Sequence, residues 1–320
     1  MQEYFDNEHR QAVAQLRTSW TARTQWPTWL VIAAVYGSWF GTLWLLHDHR
    51  IGLVAAAPLL IVSTAWYMSV QHELMHGHPT RLAWLNRLLG YAPIAVWYPY
   101  TLYRDSHLAH HDDERLTEPT VDPESNYVSP EAWAAMSSFE RAIWRVRKTF
   151  VGRMVIGPPV MVLSLAKTTA QEWRAGEFRY ISTWFVHLSL LIAMLVWMHR
   201  WSGVPVWYYL AVIAWPAQSI AMIRSIYEHR AVSKAKARIA INEAGPVTRL
   251  LFLNNNYHLV HHDLPSLPWY LLPHAYRMRE SQYIAKCDGF HIRGGYSELL
   301  RRYAFRTTDA PVHPFASRAG

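Results

Sequence analysis

Four long apolar stretches limit what this chain of 320 residues can fold into. They cover residues 28–46, 51–70, 181–198 and 203–222, and none of them contains Lys, Arg, Asp or Glu. As a helix rising 1.5 Å per residue, each stretch is long enough to cross roughly 30 Å of hydrocarbon. Only a short polar turn separates the members of each pair. The sequence therefore predicts two transmembrane helical hairpins.

The rest of the chain is polar enough to lie largely in water, since the mean hydropathy of the whole is only −0.06. We predict an all-α membrane protein with four transmembrane helices and a cytoplasmic helical cap, forming a single domain over 1–320. A short amphipathic helix is expected near 8–20, and residues 151–165, broken at 157–159, are expected to be interfacial or re-entrant. The predicted segments are 1–27 (N-terminal), 28–70 (first hairpin), 71–180 (cytoplasmic and interfacial), 181–223 (second hairpin) and 224–320 (cytoplasmic).

The basic residues predict the orientation of these hairpins. The two hairpin turns hold one basic residue each, Arg50 and Arg200, whereas residues 71–179 hold twelve and those from 224 onward hold fourteen. By the positive-inside rule, both termini and the intervening polar region face the cytoplasm. We predict a multi-pass membrane protein whose polar segments, including both termini, lie on the cytoplasmic side. The net charge of +8 then reflects contact with anionic lipid headgroups.

Three histidine clusters lie in the polar segments, each with the spacing of one helix face. Two clusters have histidines at i, i+3 and i+4, and one at i and i+4, so that on a helix the imidazoles project a turn apart. Imidazole is the commonest protein metal ligand. A ninth candidate, His229, follows the fourth span. The clusters are His72/His76, His107/His110/His111 and His258/His261/His262.

The number of these histidines predicts more than one metal ion. Eight or nine neutral imidazoles exceed the four ligands of one zinc ion and suit two metals with four or five ligands each. Ligand type leaves iron, zinc, copper and nickel open, although iron best fits an oxidative reaction. Neighbouring acids and amides are expected to accept the second N–H of the imidazoles, although the asparagines could equally cap a helix. These neighbours are Glu73, Asp112, Glu228, Asn254 and Asn255, with Asp105, Asp113 and Asp263 as further acids.

The three clusters resemble the histidine boxes of the membrane fatty acid desaturase and hydroxylase superfamily of di-iron enzymes. That signature, HxxxH or HxxxxH followed by two HxxHH motifs between paired spans, is matched in order over residues 28–275. His229 is similar to the extra histidine of membrane alkane monooxygenases, and residues 267–270 are similar to bacterial desaturases and carotenoid ketolases. Together with the charge distribution, this resemblance implies a protein of the bacterial inner membrane with its active site on the cytoplasmic side. His258 stands where front-end desaturases have Gln, which argues against that subgroup.

The resemblance implies a di-iron centre that uses O2 to attack an unactivated C–H bond of a fatty acyl or lipid chain. Desaturation is slightly favoured, and hydroxylation of a lipid, hydrocarbon or other small molecule is the alternative. The 320 residues contain no segment that resembles a cytochrome b5 or rubredoxin-like domain. Electrons are therefore expected from a separate ferredoxin, rubredoxin or cytochrome b5-like protein with its reductase.

Other interpretations explain less of the sequence. Residues 72–76 also read as HExxH, the zinc-protease motif with Glu73 as general base, but a protease leaves the two HxxHH motifs unexplained. His187, inside the third span, is expected to be a neutral histidine hydrogen-bonded between helices. A nucleic-acid partner has no support, because no reader motif is present and the basic residues flank the spans.

Overall fold

The computed structural model describes residues 2–111 and 114–315, most of which are helical, in agreement with the predicted helical class. In chain order the helices are α1 (Asn7–Thr18), α2 (Trp20–Thr24), α3 (Trp26–His47), α4 (Leu53–Met75), α5 (Ala83–Gly90), α6 (Tyr100–His110), α7 (Pro130–Ala135), α8 (Ser138–Arg147), α9 (Phe150–Arg174), α10 (Ile181–Ser202), α11 (Val206–Tyr208), α12 (Trp215–Arg224), α13 (Pro246–Leu251), α14 (His258–Asp263), α15 (Leu272–Met278), α16 (Glu280–Lys286) and α17 (Gly295–Tyr303). Shorter elements are the 3-10 turns Pro93–Ala95, Ala235–Arg238 and Trp269–Leu271, the π-helical segment Tyr209–Ala214, and the parallel strands β1 (Ile241–Asn242) and β2 (His291–Ile292).

The chain divides into two compact units, each assembled from separate segments. The polar unit consists of Met1–Gln25, Asp105–Ile156 and Ile223–Gly320. The apolar unit consists of Trp26–Arg104 and Gly157–Met222 and contains all four predicted spans. The second and third histidine clusters and His229 belong to the polar unit, whereas the first cluster belongs to the apolar unit.

Five helices are long and apolar enough to cross a membrane, judged by length and composition. Four of them coincide with the predicted spans, and α9 is the additional one. The sequence was expected to break α9 at residues 157–159, but the helix runs unbroken for 25 residues. A helix can continue past proline where its flanking turns are well formed. The expected break is therefore wrong, while an interfacial position of this segment stays a prediction.

Helices α3 and α4 of the apolar unit pack side by side, and their polar side chains find partners inside it. The Tyr67 hydroxyl on α4 donates to the carbonyl oxygen of Gly90 at 2.8 Å. Trp39 Nε1 on α3 donates to the Tyr209 hydroxyl at 3.1 Å, and that hydroxyl donates to the Ile94 carbonyl at 2.9 Å. These bonds offset the cost of burying polar groups in apolar surroundings.

The outward faces of the apolar unit carry large hydrophobic side chains. Val54 is 87% exposed, Phe185 73% and Ile192 62%. A protein that is wholly in water rarely exposes extended apolar surface, so these faces suit lipid. The agreement between exposure and apolar character supports a membrane location for these helices.

The last apolar helix widens into a π-helical turn at Tyr209–Ala214. Pro216 follows within two residues, and its ring lacks an N–H and crowds the carbonyl oxygen one turn earlier. A wider turn before a proline relieves this crowding. Tyr209 lies in this turn, where its side chain is fully buried and its hydroxyl accepts the hydrogen bond from Trp39.

In the polar unit, α14 is fixed to the strand region by backbone hydrogen bonds. The Leu259 N–H donates to the Ala240 carbonyl at 3.1 Å, and the Asn242 N–H donates to the Asn256 carbonyl at 2.9 Å. These bonds fix both the start of α14 and the turn before it. The predicted amphipathic helix is α1, whose N-terminus is capped by Asp6.

Candidate metal centre

The third histidine cluster lies on α14, which is buried in the polar unit. His258, His261 and His262 are each at most 2% exposed. The chain enters α14 through a sharp turn in which Leu253 and Asn254 have left-handed backbone angles, with φ of 46° and 53°. Asparagine tolerates this conformation better than most residues, so the backbone of the turn explains why Asn is found at position 254.

The second cluster lies at the C-terminal end of α6, where two carboxylates orient it. Glu124 accepts a hydrogen bond from His107 Nδ1 at 3.0 Å, and Asp122 accepts one from His110 Nδ1 at 2.7 Å. A histidine that donates from Nδ1 keeps its Nε2 lone pair for a metal. His111 follows directly after the helix.

These two carboxylates come from the turn-rich segment after the second cluster, and neither was among the predicted orienting residues. Asp122 is 7% exposed because its carboxylate also accepts from the backbone N–H groups of Thr117 and Glu124, at 2.8 and 2.9 Å. The sequence offered only acids in a turn-rich segment after the cluster. The predicted Asp112, like Asp113, lies outside the described residues.

His229 brings the second and third clusters together. Its Nε2 lies 2.9 Å from His110 Nε2 and 2.9 Å from His258 Nε2, and His258 Nε2 lies 3.2 Å from His262 Nε2. All four imidazoles belong to the polar unit, and their ligand atoms lie within 4.8 Å of one another. Residues from three separate segments thus meet at one point.

This arrangement fits a metal ion better than hydrogen bonding among the rings. In the neutral form that binds metal, His110 uses its Nδ1 proton on Asp122 and carries a lone pair on Nε2, and His229 Nε2 can donate to at most one of its two neighbours. At least one of the two 2.9 Å contacts then lacks a hydrogen bond, and its two nitrogens repel each other. Tetrahedral ligands about 2.0–2.1 Å from one metal lie about 3.4 Å apart, close to the spacing found here. One cation between the four nitrogens removes the repulsion.

A second set of histidines in the polar unit lies beside the first. The ligand atoms of His107 and His261 lie within 4.8 Å of each other, and their rings stack with centroids 6.3 Å apart. His111 lies close to both sets, with its ring centroid 4.3 Å from that of His262 and 4.9 Å from that of His261. His111 Nε2 is 3.2 Å from His107 Nε2.

The first cluster lies at the C-terminal end of α4 in the apolar unit. The rings of His72 and His76 have centroids 4.9 Å apart, and their ligand atoms lie within 4.8 Å of each other. The i, i+4 spacing therefore gives the predicted common face. Glu73 is 3% exposed, and its Oε1 is 3.9 Å from His72 Nδ1, which is too long for a hydrogen bond.

The predicted orienting residues beside the third cluster divide into two kinds. Asn255 Oδ1 is 3.3 Å from His258 Nδ1, and its Nδ2 donates to Glu228 at 3.4 Å. Asn255 thus contacts both His258 and Glu228, and the role of these two residues in orienting a metal ligand stays a prediction. Asn254 instead accepts from Arg249 Nε and donates to the Trp269 carbonyl, so it braces the turn.

Electrostatics keep most of these imidazoles neutral. Burial, aided by neighbouring cationic groups, holds the pKa of His229, His258 and His262 well below the usual value for histidine. Burial also acts to lower the pKa of His110, but Glu124 and other carboxylates outweigh it and raise that pKa to about 9. Neutral imidazole is the form that binds metal.

Glu228 is a buried acid beside these imidazoles. Burial raises its pKa to about 7, against the lowering effect of Arg224. Glu124 shows the opposite balance: burial acts to raise its pKa, but His107 and His110 hold it far below the usual value. The pKa of Glu228 is therefore raised, whereas that of Glu124 is lowered.

His187 has the role that was predicted for it. The side chain is buried, and its Nε2 donates to the Val96 carbonyl at 2.7 Å within the apolar unit. The Asp263 carboxylate accepts hydrogen bonds from Lys236 and Lys286, at 3.2 and 2.7 Å. These ion pairs stabilise the structure around the end of α14.

The apolar helices and the convergent histidines are typical of a membrane protein with an imidazole-rich site that could hold a metal ion. The chain belongs to the fatty acid desaturase family, whose family model matches residues 50–292. The matched range contains all nine candidate histidines, and the family is one of oxidoreductases. No curated protein matches the chain.

Proposed function

We propose that this protein is a di-iron oxidoreductase that uses O2 to oxidise an unactivated C–H bond in a fatty acyl or lipid chain. The observation that carries the proposal is the convergence of His110, His229, His258 and His262 on one point. The desaturase family supports the oxidative chemistry. Two iron ions, when bound, supply the reductive activation of O2 that such a bond requires.

We propose that all nine histidines of the sequence pattern are ligands. One ion is held by the four that meet at His229, and His107 and His261 contribute to the other, with His111 beside both. The assignment of the first cluster rests on the sequence pattern. Asp122, Glu124 and Asn255 hold the rings by accepting their Nδ1 protons, which fixes where each Nε2 points.

Desaturation is the favoured outcome. It takes two hydrogens from adjacent carbons and, with O2, two electrons and two protons, gives an alkene and two waters. Hydroxylation takes one hydrogen, returns an oxygen to the carbon, and gives an alcohol and one water from the same inputs. Hydroxylation is retained because His229, the extra histidine of the alkane-monooxygenase pattern, belongs to the four-histidine group.

We propose that both reactions draw electrons from a separate ferredoxin, rubredoxin or cytochrome b5-like protein with its reductase. The proposed ligands are imidazoles, and the described residues hold no cysteine ligand set that could form an iron–sulfur relay. The donor therefore has to reach the centre from the aqueous side.

We also propose that four helices cross the membrane and that α9 lies along its cytoplasmic surface. Arg153, near the start of α9, donates to the Ser225 hydroxyl at 3.1 Å, just after the end of α12. Because these two residues meet on one side, the chain between them crosses an even number of times, whereas α9, α10 and Val206–Arg224 make three. Helix α9 carries four charged residues, against at most one in each of the other four candidate spans. It is therefore the helix we assign to the interface.

Mass spectrometry of lipids from cells that express the chain tests the reaction. Cells with the wild-type chain should contain acyl chains lighter by two hydrogens, or heavier by one oxygen if the protein is a hydroxylase. A His261→Ala variant at equal abundance should give neither product. Identical lipids from both, with the electron donor supplied, would reject the proposal.

A further inference from the structure

The half-buried Arg147 and the buried Arg153, at the junction of α8 and α9, share one neutral oxygen. Arg147 Nη2 donates to Asn126 Oδ1 at 3.2 Å, and Arg153 Nη1 donates to the same oxygen at 2.5 Å. Arg153 is only 7% exposed. Two guanidinium groups therefore converge on a single amide acceptor, where each would ordinarily be expected to face a carboxylate.

No described carboxylate forms an ion pair with either arginine, although Glu228 and Glu124 act on Arg153 electrostatically from a greater distance and favour its charged form, which acts to raise its pKa. Within the part of the chain that the structure describes, no carboxylate lies within 4.0 Å of either guanidinium, and the buried Nε atoms of both arginines make no hydrogen bond. Asp309 pairs with Lys148, the residue after Arg147, at 2.7 Å and accepts from the Tyr127 hydroxyl, so it is already occupied. A buried charge without a counter-charge is costly, so such a site favours an incoming anion.

Both arginines stay charged at neutral pH. Burial lowers the pKa of Arg147 to about 10 and that of Arg153 to about 9, and Arg147 also contributes to the lower value of Arg153. Because these values remain above neutral pH, the site keeps two positive charges. Asn126 Nδ2 makes no hydrogen bond to a described residue, so it adds an N–H donor beside them.

The arginine pair is connected to the candidate metal centre from two directions. Asn126 comes two residues after Glu124, which orients His107. Arg153 Nη2 donates to Ser225, which comes three residues before Glu228. Asn126 and Arg147 are only half-buried, so an anion can approach from that side.

We propose that Arg147 and Arg153, with the amide of Asn126 between them, form an oxyanion site for the head group of the acyl substrate. The ligand is a carboxylate or phosphate carried on an acyl chain. The planar guanidinium fork matches both groups, because it can donate two parallel N–H bonds to two oxygens. This inference rests on the proposed function for the acyl chain, whereas the anion site itself rests on the arginine geometry.

Binding to the metal-loaded protein, without electron donor, tests the site. The probes are three sixteen-carbon chains ending in a carboxylate, a phosphate or an uncharged hydroxyl. Arg153→Gln should weaken binding of at least one charged probe by about tenfold or more and leave the alcohol unchanged. The charged probe whose affinity falls more shows whether the natural head group is a carboxylate or a phosphate. The matched control is Arg145→Gln, which removes an exposed arginine of α8 that stacks on Trp133 and should change nothing.

A second variant separates ligand binding from folding. Asn126→Asp places a carboxylate between the two arginines, so the protein should be at least as stable as wild type yet bind the charged probes as weakly as Arg153→Gln. If Asn126→Asp stabilises the fold and leaves charged-probe binding intact, the arginines are structural and the proposal is overturned. Equal loss for the alcohol and the charged probes would also overturn it. Charge-dependent binding without any lipid oxidation would instead reject only the enzymatic proposal.

Discussion

His229 is the residue on which the two histidine clusters of the polar unit depend. Its Nε2 is the closest neighbour of both His110 Nε2 and His258 Nε2. The expected result for His229→Ala is loss of part of the bound iron and of more turnover than the roughly 10–100-fold that an outer partner costs. Iron per chain and turnover should be measured beside His274→Ala, which changes an exposed histidine of α15. Wild-type iron and rate in both variants would make His229 a bystander and leave a site of eight histidines.

Asp122 and Glu124 give a second test at single residues. Asp122→Asn or Glu124→Gln keeps the shape of the side chain but weakens the hold on His110 or His107, so metal affinity should fall about 10–100-fold. Competition with a metal chelator measures this affinity. Glu131→Gln, on an exposed acid in the first turn of α7, serves as the matched control. Unchanged affinity in all three variants would show that the two carboxylates do not orient ligands.

At the scale of elements, the sequence predicted helices and spacings better than it predicted contacts. Long apolar runs and i, i+3, i+4 histidines are local patterns, so the four spans and the ligand-bearing faces could be read directly. The carboxylates that orient His107 and His110 are 17 and 12 residues away in the chain, respectively, and no local pattern links them. The sequence analysis did not predict that α9 is continuous, because two adjacent prolines usually end a helix. In the structure the helix continues past both of them.

The junction between α8 and α9 depends on a close approach at Gly152. A Cβ atom at this position would lie 1.9 Å from the Val146 carbonyl oxygen. Gly152→Ala should therefore destabilise the protein by about 1–3 kcal/mol, measured by thermal unfolding in detergent. Gly37→Ala on α3 is the control, because nothing lies within 4 Å of a Cβ there. Equal melting temperatures for the two variants would show that the junction has room to adjust.

The number of crossings is a property of the whole molecule. In a Cys287→Ala background, Arg50→Cys and Arg200→Cys should react with an impermeant thiol reagent applied outside the cell. Cysteines at Arg115 and Glu177 should not react, because the first lies in the polar unit and the second follows an α9 that does not cross. Labelling of Glu177→Cys from outside would mean that α9 spans the membrane. Labelling of Arg115→Cys would reverse the predicted orientation.

The central claim is that nine histidines of one chain hold two iron ions. Metal analysis of protein purified after iron supplementation, quantified against chain concentration, tests this claim most directly. We expect close to two irons per chain, falling in His261→Ala together with activity. A preparation that is fully active with a single zinc ion per chain would contradict the account and would favour the interpretation of residues 72–76 as a zinc-protease motif.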